Sequence, residues 1–283
     1  MANYDTANVE ITSSQAEATT RNSPLRDVFG EYFDAAAEFI NENFPNVQPN
    51  HITKAGLYLT YLGAVSLNLL PDKPICRHLA VTFHTIGGSF DGLDGSLDKV
   101  KRRPTGAPPT IEGKITDAKA DRKGETIDYA SLAIKALRRG NRVGAGLYAA
   151  ATITNGWGAM AKKKAESHGY IVKEGGAGTR VRRAVWAGIG MDFNNNELIT
   201  DAVGACVTFE NINTTFKRLA VIRYGDKAQH YMGMNNDPAC KQEAKEIQEA
   251  VKPLALRSAA VGLGLGLGAL VIGSRKSRKS QQR

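Results

Sequence analysis

Four aspartates set the chemistry this chain could perform. Asp91 and Asp94 lie three residues apart and are followed by Gly95, while Asp117 and Asp121 lie four apart after Gly113. On helices, either spacing puts both carboxylates of a pair on one face, one turn apart. Two such pairs brought together make a nest of carboxylates, and like charges in a partly buried site repel strongly unless cations lie between them. All-oxygen ligation points to Mg²⁺ or Mn²⁺, and two ions are the natural complement of two pairs. Gly95 leaves room for a ligand backbone or phosphate to approach, and Gly113 leaves room for helix contact. Single acidic pairs at these spacings are common on solvated helix faces. Here both pairs occur together, with glycines at fixed offsets, inside otherwise apolar segments.

The elements that must position these residues are helical. From Pro24 to Phe44, apolar residues such as Leu25, Val28, Phe29, Phe33 and Ile40 recur at helical spacing, with Asp27, Glu31 and Glu38 on the other face. This predicts an amphipathic helix over 24–46, behind a polar tail (1–23) that reads as disordered and carries no signal-peptide core. Ile52 to Leu70 is a mainly apolar run whose one charge is Lys54, about the length a bilayer crossing needs, roughly 17 to 25 residues. After the tight Pro71 to Pro74 connection, Ile75 to Phe90 leads into the first aspartate pair. Lys99 to Pro109 is basic and then rich in Pro and Gly, which predicts an exposed loop. Four further apolar stretches follow: Gly113 to Leu137, Val143 to Ala161, Arg183 to Met191 and Leu198 to Ile222. Their acidic residues, such as Asp128, Asp201 and Glu210, are costly in lipid unless they face a protein interior or a water-filled cavity. Residues 224–253 read as a polar helical segment, and 254–283 as an apolar, Gly-rich run with a basic end suited to anionic headgroups.

These motifs resemble the signature of the CDP-alcohol phosphatidyltransferases, D-x-x-D-G-x-x-A-R followed by G-x-x-x-D-x-x-x-D. All four aspartates and both glycines match. Pro49-Asn50-His51-Ile52-Thr53 is similar to the P-N-x-x-T that opens the family's first membrane helix, and Thr110 to Arg122 is similar to its T-x-F-G-x-x-L-D-x-x-A-D-K/R stretch. The segments Ala161 to Gly169 and Gly178 to Arg183 likewise resemble family segments, so that 47–223 looks like the membrane domain. The chain departs from the pattern at Asp98-Lys99, where the family has Ala-Arg, and in a longer loop before Gly113.

The resemblance implies an all-α integral membrane bundle of about six transmembrane helices, with the amphipathic helix lying beside it. It also implies a multi-pass protein of the cytoplasmic membrane, a homodimer whose site faces the cytoplasm. The implied activity transfers a phosphatidyl group from CDP-diacylglycerol to the hydroxyl of a polar alcohol such as inositol phosphate or glycerol 3-phosphate, with release of CMP. Asp91, Asp94, Asp117 and Asp121 would then ligate two ions, and Asp121 would also act as general base. Asn50, Thr53, Gly95 and Lys99 would line the CDP-lipid site. Lys162, Lys164, Arg180 and Arg183 fall where relatives hold an acceptor phosphate, a role that converging cations can serve. The alternative for these four is ordinary cytoplasmic-side charge under the positive-inside rule, and Arg138, Arg139 and Arg142 would fall on the opposite side.

Composition narrows the rivals. A net charge of +9 on 283 residues, with 42% hydrophobic residues, excludes collagen-like and wholly disordered chains. Cys76, Cys206 and Cys240 form no CxxC or Cys/His cluster, which fits a reducing compartment and gives no zinc site. The charge alone would suit a nucleic-acid binder, but no aromatic or basic motif supports one. The remaining alternative is a non-catalytic membrane protein that holds divalent cation or lipid headgroups through the same carboxylates. His78, His84 and His230 stand alone in the sequence and read as packed or solvated.

Overall fold

The computed structural model describes residues 24–107, 109–168, 170–171, 179–225, 235–236 and 240–281. For residues 24–28, 166, 170–171, 179–184, 235–236, 240–244 and 272–281 it describes the backbone alone. The expected tail 1–23 lies outside these residues, as does His230. Among the described residues the fold is all-α. Its helices are α1 (Pro24–Asn43), α2 (Pro49–Leu69), α3 (Pro74–Arg102), α4 (Ile111–Arg139), α5 (Arg142–Ser167), α6 (Thr179–Asp192), α7 (Glu197–Tyr224) and α8 (Cys240–Gln281). A two-residue antiparallel ladder, β1 (Tyr170–Ile171) with β2 (Asn235–Asn236), ties the loop after α5 to the segment before α8.

Local chemistry sets most boundaries. Pro49 and Pro74 open α2 and α3, where a missing N–H costs nothing. Thr110 caps α4, its hydroxyl accepting from Gly113 N at 3.1 Å, and Gly140 ends that helix at φ +81°. Asn196 caps α7 by accepting from Ile199 N. Two boundaries differ from expectation. α3 runs without a break through both Asp-containing Gly steps to Arg102, so Lys99, Lys101 and Arg102 form its last turn and the exposed connection is shorter than the sequence suggests. The polar segment and the apolar run near the end form one helix, α8, across Pro253.

The bundle is organised around α2, which packs against both α3 and α4. On the α3 side the two backbones nearly touch. A Cβ placed on Gly56 would lie 2.8 Å from the Gly87 carbonyl oxygen, and one on Gly87 would lie 2.7 Å from the Gly56 carbonyl oxygen. On the other flank, α1 covers the second half of α3, burying Ala37 against Leu97 and Val100. The ring of Phe33 lies over Gly92, where a Cβ would come within 2.6 Å of it. The main core gathers Leu67, Ala80, Tyr129, Leu132, Tyr148 and Met191 from α2 to α6. α5 carries α7 on one side and α8 on another, and α8 also reaches α4.

One stretch, Lys245–Val271 of α8, is long and apolar enough to cross a membrane. It is the one such segment among the described residues, and about six spans remain the implication of the resemblance. Large apolar side chains are exposed along several helices, among them Tyr58, Val65 and Leu69 on α2, Phe209 and Phe216 on α7, and Leu263, Leu267 and Leu270 on α8.

Close backbone approach at Gly56 and Gly87 gives a direct test. Gly87→Val should lower the thermal midpoint of the protein, a cost of about 1–3 kcal/mol from overpacking against backbone that cannot yield. Gly88→Ala adds a methyl that meets nothing within 4 Å and should cause no such drop.

Candidate metal centre and its cleft

The second half of α3 and the first half of α4 face each other across a cleft, with α2 as the third wall. The cleft holds about 690 Å³ of empty space, solvent at its mouth included. Asp91 and Asp94 come from α3 and Asp117 from α4, each offering a carboxylate oxygen within 4.8 Å of the other two. Asp94 is 8% exposed, and Asp91 and Asp117 are half-buried. At that separation each like-charge pair repels by about 3 kcal/mol in a medium of effective dielectric near 20. Converging carboxylates of this kind can hold a metal ion, whose charge removes the repulsion.

The helices fix these oxygens in three ways. Spacing on one face of α3 aligns Asp91 with Asp94. The hydroxyl of Thr53, on α2, donates to Asp94 Oδ2, so one oxygen of the most buried carboxylate is held from a second helix. Phe33 and Gly92 seat α1 against the turn between the two α3 aspartates. Asp121 lines the same cleft one turn beyond Asp117, outside the group of three. The expected nest of four carboxylates is therefore a group of three with a fourth beside it.

The other expected residues divide. Thr53 lines the cleft, and Gly95 faces open space, with nothing within 4 Å of an added Cβ. Asn50 is half-buried in the first turn of α2, and Lys99 is exposed in the last turn of α3; neither lines the cleft. Asp98, which replaces the expected small residue, is ion-paired to Arg102 at 2.7 Å along its own helix. Lys162 and Lys164 lie near the end of α5, half-buried and exposed respectively, and do not line the cleft. Arg180 and Arg183 lie on the first turns of α6, and their side chains fall outside the described residues.

Sequence reasoning missed three cleft residues: His84, Glu125 and Asp128. His84 precedes Asp91 by two helical turns, and Glu125 and Asp128 continue the face of α4 that carries Asp117 and Asp121. Their signal was the same helical period extended by two turns. His84 is packed, as the sequence suggests: it is buried, with Nδ1 3.2 Å from Asp128 Oδ2. Glu125 is met by Arg122 at 2.8 Å, and that guanidinium also donates to Asn155 Oδ1 at 2.5 Å.

A comparison with known proteins returns no match: no family model, no curated protein and no solved structure is similar to this chain.

The centre is testable with Mn²⁺ as a spectroscopic probe. Asp94→Asn or Asp117→Asn should abolish high-affinity Mn²⁺ binding measured by electron paramagnetic resonance. Thr53→Val, which keeps the ligands and removes the hydroxyl that orients one, should weaken it by about 10- to 100-fold.

Proposed function

We propose that this chain is a membrane-embedded transferase of the CDP-alcohol phosphatidyltransferase type. On this reading it moves a phosphatidyl group from CDP-diacylglycerol to a polar alcohol and releases CMP. The observation that carries it is the convergence of Asp91, Asp94 and Asp117 from two helices, beside a cleft that Asp91, Asp94 and Asp121 line. The exposed apolar residues on α2, α7 and α8 support a bilayer setting, for which the resemblance implies about six spans and a site facing the cytoplasm, and a homodimer is consistent with so much apolar surface.

Asp91, Asp94 and Asp117 would hold Mg²⁺ or Mn²⁺, two ions in the full site, with Asp121 completing the set. Such ions supply charge neutralisation for a diphosphate and for the leaving phosphate. Asp121 accepts the proton of the acceptor hydroxyl. The acceptor oxygen forms a bond to the phosphorus that carries the diacylglycerol, and the bond from that phosphorus to the bridging oxygen breaks. The bridging oxygen leaves with CMP. Thr53 keeps Asp94 oriented throughout, and the resemblance assigns Asn50, Gly95 and Lys99 to the CDP-lipid, although Asn50 and Lys99 do not line the cleft. Arg180 and Arg183, with Lys162 and Lys164, would hold the phosphate of an acceptor such as inositol phosphate or glycerol 3-phosphate.

A second reading is a non-catalytic protein that binds divalent cation or lipid headgroups. Asp98 favours it, because Asp98-Lys99 stands where the family has Ala-Arg, and the carboxylate is taken up in an ion pair with Arg102. CMP release from CDP-diacylglycerol by the protein in lipid, with Mg²⁺ and a panel of alcohols, separates the two. The transferase should release CMP only with an acceptor, and Asp121→Asn should slow it by about 10²- to 10⁴-fold. A folded, cation-binding protein that releases none with any acceptor would establish the second reading.

A further inference from the structure

At the end of the helices away from the aspartates, α2 and α4 finish where α3 and α5 begin. Asp72 stands in the turn between α2 and α3, and three cations converge on its carboxylate: Arg77 and Lys135 at 3.6 and 3.8 Å from Oδ1, and Arg139, which donates to Oδ2. The first two separations are beyond hydrogen-bond length, so one carboxylate answers the three cations only in part. Lys135 is 7% exposed and lies within electrostatic reach of Arg77 and of Arg138, whose guanidinium donates to the Asn68 carbonyl oxygen. Helix dipoles do not make up the difference, because as many N-terminal as C-terminal ends meet here and their partial charges cancel. Among the described residues no other acid pairs with the cluster. Asp192 is held by His78 at 2.9 Å, Asp201 accepts from Asn141 Nδ2, and Glu197 has no ion pair. Two positive charges are therefore in surplus on three largely sheltered side chains, whereas a plain tie between a turn and a helix needs one cation for one acid.

Two guanidinium groups and an ammonium group suit the oxygens of a phosphate, the first through paired N–H donors and the second as a point charge. The cluster is open to such a group at the turn, where the Asp72 side chain is 40% exposed. Its surroundings say where the phosphate comes from. Leu69 at the end of α2, Ile75 at the start of α3, Val143 at the start of α5 and Leu198 at the start of α7 all stand exposed at this same end. Large apolar side chains turned outward beside a cationic cluster fit a lipid, whose chains lie against them while its phosphate reaches the charges. A soluble phosphate would leave them unused. Arg139 also lines a pocket with Asn141, Asn194, Asn195 and Thr200, about 630 Å³ with the solvent at its mouth, which gives the rest of a headgroup polar walls. Glu197, the one acid of that lining, is exposed.

We propose that Arg77, Lys135 and Arg139 bind the phosphate of an anionic phospholipid, at the end of the bundle away from the aspartate centre. This rests on the bilayer setting of the transferase reading and not on its chemistry. Asp72 gathers the three cations and competes with the phosphate for them.

The test uses the full chain in a neutral detergent with EDTA, which keeps divalent cations from the aspartates. Native mass spectrometry gives Kd for phosphatidylglycerol, phosphatidylcholine and inorganic phosphate, and thermal unfolding reads the stabilisation that each supplies. Phosphatidylglycerol should bind about tenfold or more tightly than phosphatidylcholine, and added salt should erode the difference. Arg77→Gln and Lys135→Gln should each weaken phosphatidylglycerol about tenfold, the loss of one charge-assisted contact. Asp72→Asn separates the proposal from a purely structural tie. It should lower the thermal midpoint in detergent alone, and because the phosphate loses its competitor, phosphatidylglycerol should bind this variant more tightly than the wild type and restore the midpoint. A tie that serves structure alone gives the loss without the rescue. Equal affinity for the two lipids, or a preference undiminished in both glutamine variants, would overturn the proposal. Inorganic phosphate that binds as tightly as phosphatidylglycerol, with the same dependence on Arg77 and Lys135, would overturn the lipid as its source. CMP release plays no part in these readouts, so the site stands or falls separately from the chemistry at the aspartates.

Discussion

Mutual repulsion among Asp91, Asp94 and Asp117 is the constraint on which the rest of the structure depends. Their oxygens lie within 4.8 Å of one another, and nothing in the charges themselves would bring them there. The work of holding them falls to helix packing. α2 lies against both α3 and α4, and at Gly56 and Gly87 its backbone meets that of α3 with no side chain between. Thr53, one turn before Gly56, then reaches Asp94. α1 presses on α3 from behind through Phe33 and Ala37. Each contact opposes a force that drives the aspartates apart, and a cation of suitable size relieves that force.

Other buried charges in the bundle are compensated locally. Arg122 serves Glu125 and Asn155, and Arg218 donates to the Gly158 carbonyl at 2.7 Å. At the opposite end of the helices, Arg139, Arg77 and Lys135 converge on Asp72 in the turn between α2 and α3, the last two at 3.6 and 3.8 Å, while Arg138 donates to the Asn68 carbonyl. Arg138 and Arg139, two of the three basic residues that the sequence suggests as a second charged side, are occupied in fastening the end of α4 to that turn. Pairing of this kind is the condition on which charged residues are tolerated inside a membrane bundle.

Much of this was legible in the sequence, and the failures share a cause. The amphipathic period found α1, the apolar run found α2, and the aspartate spacings gave the facing surfaces of α3 and α4. Starting the exposed connection at Lys99 overlooked that basic residues suit the last turn of a helix, where Lys99, Lys101 and Arg102 lie. Placing Asn50 and Lys99 at the site followed the resemblance and not a physical constraint, and neither residue lines the cleft. His84 and Asp128 escaped because a lone histidine and an acid in an apolar stretch carry no information until the helices that bear them are known to face each other.

The far end of the chain bears on the same centre. Ile247 and Val251 of α8 are buried against Ala159, and Ile115 and Ala118 of α4 pack on them, one on each side of Asp117 along the chain. The C-terminal helix, outside the region that resembles the transferases, thus backs the turn that carries Asp117. In the order of synthesis α4 emerges long before α8, so the nascent bundle holds all four aspartates while one of them still lacks its support. The trio of carboxylates is thus a product of the finished tertiary structure rather than a local motif.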